Sequence, residues 1–502
     1  MPGRMEFETT FRTQSQYKSV GRPDPETPFR VVMIGDFSGR GNQGRMGAAL
    51  ASLPAPSIDL DNFDQRMGAY APELSLTLPD GSGSMTVKFG EIDDFSPDAL
   101  YDRLELFQKL RDLRSRLLDS STFAAAAAEL KGSPASPTPG ETPPSSNNPE
   151  EASESEGDML ERLLGKQPTS TPEAREQSKK ADISSFIQSI VGDVSVPDNT
   201  QEQTVLVEQV DRTIANQMRW LLHHPAFQRL ESHWRAAEEF VRRVSLDETL
   251  TLQLFDVSYE EMLADFTLPE NESGLRRVLG DQKAGKDHPV SLLVCLHTIR
   301  NEPLELVALA AAGRMAGESG AVWLMGADPS FLGVPSIQDW SQKETGVKQE
   351  VAWSALRKMS EANHIAMAAP RILLRLPYGT DSDPIDRFVF EEMESADGDA
   401  YLWGSGAVAL ATLLAESFSE REWDMQAGNH QDLGDLPTHI KRRDGESSLQ
   451  AVAEAYLSEK QGQKLMELGL CPLLSYRDRG AVRVLQFRSI ADPAAGLAGL
   501  WT

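Results

Sequence analysis

The chain has 502 residues, 40% of them hydrophobic and 7% aromatic, enough to bury two or more cores of ordinary globular composition. A formal charge of −27 at pH 7 repels phosphates and argues against a nucleic-acid partner. The two cysteines, Cys295 and Cys471, sit in apolar runs and offer no disulfide framework, and no apolar stretch is long enough to predict membrane insertion.

The first six residues, MPGRME, carry no apolar signal core, so the expected location is cytoplasmic. Residues 5–11 (MEFETTF) alternate, with Met5, Phe7, Thr9 and Phe11 on one face, which predicts an exposed strand. The run from Phe29 to Ile34 is apolar and ends at Gly35, the pattern of a central buried strand. Two alternating stretches, 74–78 and 85–89, flank the turn Pro79-Asp80-Gly81 and predict a hairpin. Ser96 then reads as an N-cap and Pro97 as the first residue of a helix running through Leu104, Leu110 and Leu117. Its basic residues Arg111, Arg114 and Arg116 come late, as the helix dipole favours.

From Gly132 to Lys180 the composition turns to Pro, Ser and Glu, too poor in apolar surface to order itself. One island interrupts this linker: Met159, Leu160, Leu163 and Leu164 fall at helical spacing before Gly165. A helix that short is marginal in water and would form mainly on a partner.

Order returns near Ile183. Residues 205–244 are strongly helical with a break at Pro225, 250–257 alternate as a strand, and Ser258 with Glu261 spells a capping box. Strands are predicted at 289–296 and 321–325, helices at 304–315 and 407–418, an apolar segment from 372 to 376 that reaches the turn Pro377-Tyr378-Gly379, and a last strand at 481–487. The alternation makes the class α/β. The domain reading is 1–130, a linker at 131–180 carrying the short amphipathic helix, and 181–502.

The residues raise three candidate chemistries. The buried strand followed by Gly35, Gly39 and Gly41 could cradle a phosphate, so a nucleotide- or dinucleotide-binding α/β enzyme is the alternative reading. The spacing resembles that of short-chain dehydrogenases, but their Tyr-x-x-x-Lys pair occurs here only as Tyr456 and Lys460, beyond the linker. No Gly-Lys-Ser/Thr of a P-loop is present. His223, His224, Glu231 and His233 crowd one region, but adjacent helical residues diverge by about 100°, so packing or capping is expected in place of a metal site. The pairs Asp93-Asp94 and Glu391-Glu392 are neighbours that seldom converge, and no nucleophile elbow is present. No catalytic residue, metal or cofactor is predicted.

Long runs carry a family resemblance. Residues 28–39, including Gly35, Asp36, Ser38 and Gly39, together with 58–64 around Asp61, Asn62 and Phe63, and 89–97, resemble the small subunit of the type VI secretion contractile sheath. From about Val205 the chain resembles the large subunit. The runs that carry this are 222–235 (His224, Pro225, Phe227, Glu231, Trp234, Arg235), 370–379 (Arg371, Arg375, Pro377, Tyr378, Gly379), 390–392 and 401–404 (Trp403, Gly404). The resemblance implies a structural protein: two sheath-type α/β segments packed together, assembling with itself or other sheath subunits around an inner-tube protein. It also implies a baseplate and an ATPase unfoldase as partners. Carried over by position, residues 5–11 are the candidate donated strand, and Met159, Leu160, Leu163 and Leu164 the candidate unfoldase dock. Family large subunits continue beyond the position of Thr502, which leaves a sheath cap or baseplate accessory as a second reading within the class. A flexible linker of some fifty residues spans about 35–45 Å, enough for intramolecular or swapped pairing of the segments.

Overall fold

Phe29–Gly35 forms strand β1, and every residue in it except Arg30 is buried. That burial is possible because β1 lies inside a nine-stranded sheet, with a parallel partner on each side. The computed structural model describes residues 23–45, 50–79, 81, 83–130, 199–269, 271–280, 289–343, 350–393, 400–443 and 446–502. The candidate strand at 5–11, the linker at 131–180 and the island at 159–165 lie outside the described residues.

The strands follow in chain order. After β1 come β2 (Ser57–Ile58), the hairpin β3 (Glu73–Thr77) and β4 (Ser84–Lys88), then β5 (Leu250–Asp256), β6 (Val290–Ile299), β7 (Val322–Ala327) and β8 (Ile365–Ala369). Next are the short pair β9 (Ile372–Leu373) and β10 (Trp403–Gly404), β11 (Asp432–Leu433), the hairpin β12 (Ile440–Arg443) and β13 (Glu446–Leu449), β14 (Cys471–Ser475) and β15 (Val482–Val484). The large sheet has the order β2-β5-β1-β6-β7-β8-β14-β15-β11. β5, β1, β6, β7, β8 and β14 run parallel, β2 pairs antiparallel with β5 at one edge, and at the other β15 runs antiparallel between β14 and β11.

Register explains the apolar run in β1. Val31 sits opposite Leu252 of β5 and Leu292 of β6, and Val32 opposite Gln253 and Leu293. A parallel strand covered on both faces reads as continuous apolar sequence, as 29–34 does. Val32 and Ile34 join the core that includes Leu309 and Ala316 of the helix Pro303–Ser319. Successive side chains alternate, so Phe29 looks the other way, stacking at 4.6 Å on Phe418 of the helix Ala407–Arg421.

The described residues form two compact units, one comprising 1–74, 88–97 and 221–502, the other 75–87 and 98–220. Each draws on sequence from both sides of the linker. The second unit is helical apart from the hairpin. Helix Glu105–Leu118 buries Leu106, Phe107, Leu110, Leu113 and Leu117. Its Arg114 pairs with Asp211 of the helix Asn199–Leu222, while Gln203 donates to the Leu117 carbonyl at 2.7 Å.

Most sequence expectations match within a few residues. One predicted helix is divided: Pro97–Arg103 ends before Leu104, which takes an extended conformation (ψ 132°) and starts the helix Glu105–Leu118. The apolar segment from 372 forms the two-residue strand β9, and Leu374 continues its register by donating to the Leu402 carbonyl at 3.1 Å. β8 and β14 were not predicted. β8 reads IAMAA, with no β-branched residue beyond Ile365, and β14 contains Pro472.

Candidate functional site

The loop leaving β1 carries Gly35, Gly39 and Gly41, the residues of the phosphate-cradle alternative. The amides of Phe37, Ser38, Arg40 and Gly41 already have acceptors. Phe37 and Ser38 donate from the backbone to Asp256 Oδ1 at 2.8 and 3.0 Å, and Ser38 Oγ donates to Asp256 Oδ2 at 2.6 Å. Arg40 and Gly41 donate theirs to the two Asp36 oxygens at 2.7 and 3.0 Å. Internal carboxylates therefore occupy the positions an incoming phosphate would need. Arg40 adds a two-pronged pair to Glu261 at 2.9 and 2.7 Å, and Glu261 also closes the capping box with Ser258. Burial raises the Asp256 carboxyl to about 6, partly offset by the Ser38 hydrogen bonds. Gly39 adopts φ +77°, and a Cβ there would lie 2.3 Å from the Glu73 carbonyl oxygen.

The helix Pro225–Arg243 supports this loop from beneath. His233 Nδ1 accepts from the Asp36 amide at 3.0 Å, and Trp234 Nε1 donates to the Phe37 carbonyl at 2.8 Å. Trp234 also meets the rings of Phe37, Phe63 and Tyr70 at 5.2–5.8 Å. Phe227 packs edge-on to Phe89 and Phe95, which stack at 4.2 Å. His224 caps the helix, its Nδ1 accepting from the Ala226 amide at 3.2 Å, with Pro225 next. Burial, then the neighbouring His297, push the His233 imidazole well below its ordinary pKa, so it is neutral.

A buried ionic knot lies further along. Arg375 donates to Glu231 at 2.8 Å and to Glu392 at 2.8 and 3.0 Å, and its guanidinium stands 4.5 Å above the Tyr378 ring. Arg235 donates to Glu231 Oε1 at 2.7 Å and to the Tyr378 hydroxyl at 3.3 Å. The Tyr378 amide donates to Glu392 at 2.8 Å. Burial opposes ionisation of Glu392, yet Arg375 and His223 hold its carboxyl down at about 2. The two guanidiniums and two carboxylates satisfy one another, which is the condition for burying charge.

The remaining predicted residues divide. Asn62 exchanges hydrogen bonds with Asp59 ahead of the helix Phe63–Tyr70, while Asp61 is exposed. Arg371 pairs with Glu454, and Trp403-Gly404 pairs with β9. Pro377 accepts from Ser382 Oγ at 2.6 Å, and a Cβ on Gly379 would strike Glu391. Glu391 and Glu392 diverge, the first toward the Thr380 amide and the second toward Arg375. His223, His224 and His233 do not converge, and no group of three metal-ligating side chains occurs among the described residues. Asp256, Glu261, Arg40 and Glu454 were not singled out from sequence. Only the capping-box position of Glu261 marked any of them.

Two family models match the chain. The type VI secretion system VipA model covers residues 12–132, and the VipB tail sheath N-terminal domain model covers 204–490. Among curated relatives, the sheath protein TssC1 of Pseudomonas aeruginosa is 26% identical over 305 residues, 58% of this chain and 61% of that protein. The sheath protein TssB1 of the same organism is 30% identical over 103 residues, 20% of this chain and 59% of that protein. The chain thus spans about three fifths of each relative it matches. A chain in the cryo-EM structure of the anti-feeding prophage baseplate shares 12% identity at a TM-score of 0.26, over 51% of this chain and 49% of that one, and adds nothing to the assignment. The VipB match alone extends over more than half of the sequence, and the VipA match precedes it in order: the chain belongs to the type VI secretion tail sheath family, with a small-subunit part and a large-subunit part fused in one polypeptide.

Proposed function

We propose that this protein is a structural, non-enzymatic subunit of a type VI secretion contractile sheath, carrying both halves of the sheath building block in one chain. The observation that carries the reading is the position of β1: a strand from the VipA-like part lies between β5 and β6 of the VipB-like part. The two parts share one sheet. In this reading the subunit joins copies of itself or other sheath subunits by strand exchange and helix packing. Head-to-tail contacts that do not close give an open helical tube, which surrounds an inner tube, starts from a baseplate and drives ejection on contraction. The strand at 5–11 is the proposed donor, and Met159, Leu160, Leu163 and Leu164 the proposed dock for an ATPase unfoldase in the cytoplasm. No described helix is long and apolar enough to cross a membrane. The nucleotide-binding alternative lacks support, since Asp36 and Asp256 take the loop amides. Negative-stain electron microscopy of the purified protein, with its mass in solution, tests the proposal. Tubes or cogwheel-like rings support it, and a monodisperse monomer at all concentrations contradicts it.

A further inference from the structure

A cavity of about 590 Å³ opens beside the switch point of the sheet, lined by Arg229, His233, Glu260, His297, Arg300 and Arg371 among others. From β1 the chain goes to β5 on one side, then crosses to β6 on the other and continues outward through β7 and β8. The order therefore reverses between β1 and β6. His297 and Thr298, near the carboxyl end of β6, line the cavity, and so does His233, which is bonded to the residue just after β1. In open parallel sheets, ligands bind outside the carboxyl ends of the strands at this reversal.

The lining has a definite chemistry. In a chain of charge −27 it gathers three arginines against one carboxylate, Glu260. Arg300 and Arg371 are held in place by Glu305 and Glu454. Arg229 is exposed, and its guanidinium makes no hydrogen bond or ion pair among the described residues. Its charge reaches both histidines. His233, 3% exposed, accepts at Nδ1 from the Asp36 amide, which places its proton on Nε2 with no acceptor among the described residues. His297, 4% exposed, donates from Nε2 to the Val257 carbonyl at 2.9 Å, which leaves a bare lone pair on Nδ1. One donor and one acceptor on neighbouring rings, 5.0 Å apart, match a hydroxyl, and Arg229 matches an anionic group.

We infer that this cavity binds a small hydroxyl-bearing organic anion, of the size of a sugar phosphate or a hydroxycarboxylate. The site uses different residues from the carboxylate-filled loop after β1. Titration calorimetry of the full-length protein with ribose 5-phosphate, citrate and inorganic phosphate tests it. The expected result is saturable binding of at least one hydroxylated anion, tighter than inorganic phosphate. Arg229→Ala weakens it about 10-fold, Arg229→Lys restores part of the affinity, and Arg242→Ala, outside the cavity, leaves it unchanged. No saturable binding of either hydroxylated anion at millimolar concentration, or equal affinity in wild type and Arg229→Ala, overturns the inference. Inorganic phosphate binding as tightly as both overturns the assignment of the hydroxyl.

Discussion

Ser38 Oγ donates to Asp256 Oδ2 at 2.6 Å across 218 positions of sequence, joining the VipA-like part of the chain to the VipB-like part. The same carboxylate accepts the Phe37 and Ser38 amides, so one side chain at the end of β5 organises the loop that leaves β1. Asp256→Ala leaves two buried amides without an acceptor, and the expected loss is about 2–4 kcal/mol in urea unfolding. Asp256→Asn keeps an oxygen for both amides and removes a buried charge, and its loss is expected to be smaller, about 1 kcal/mol.

Arg375 is the only group between Glu231 and Glu392 that pairs with both among the described residues. Arg375→Met leaves Glu231 with Arg235 alone and Glu392 with the Tyr378 amide and His223, and is expected to cost about 3–5 kcal/mol, read as a fall in the unfolding midpoint. Glu392 titrates near 2 in the folded chain against an ordinary 4.5. Its contribution is therefore present above about pH 4.5 and lost as pH falls toward 2. Glu392→Gln is expected to flatten that acid limb.

Between pH 7 and 5 the histidines and Asp256 act in opposite directions. His224, His233, His297, His364 and His439 all have lowered pKa values, mainly through burial, so the unfolded chain takes up protons first. Their contribution is present above the ordinary value of 6.5 and lost as pH falls through it. Asp256, raised to about 6 from 3.8, takes up its proton first in the folded state and adds stability as pH falls across that interval. The histidines outnumber it, so urea midpoints are expected to fall from pH 7 to 5, and His297→Asn to reduce the slope.

Gly39→Val separates a structural glycine from a ligand-binding one. Its positive φ alone costs about 1–3 kcal/mol for a residue with a side chain, before the contact with the Glu73 carbonyl. A lowered melting temperature is expected, read by circular dichroism. An unchanged melting temperature would contradict the assignment.

What was legible in the sequence was local. The apolar run at 29–34 announces a strand buried on both faces, Ser258 and Glu261 announce their capping box, and Pro225 announces the break between two helices. The partners of β1 were not legible, because register between strands more than two hundred residues apart leaves no local pattern. The same holds for Asp256, an ordinary strand-end carboxylate until Ser38 is placed against it. Glu231, Arg375 and Glu392 lay in recognised runs, but only the fold shows that both carboxylates close around Arg375. The helix division at Leu104 was missed because the residue fits an apolar helical face equally well.

The VipA-like strand β1 is an interior strand of the VipB-like sheet. Hydrogen exchange with mass spectrometry on the intact protein reads this directly. Peptides covering 29–35 are expected to exchange as slowly as those covering 290–299, both opening only with global unfolding. Rapid exchange at 29–35 beside lasting protection at 290–299 would contradict the account.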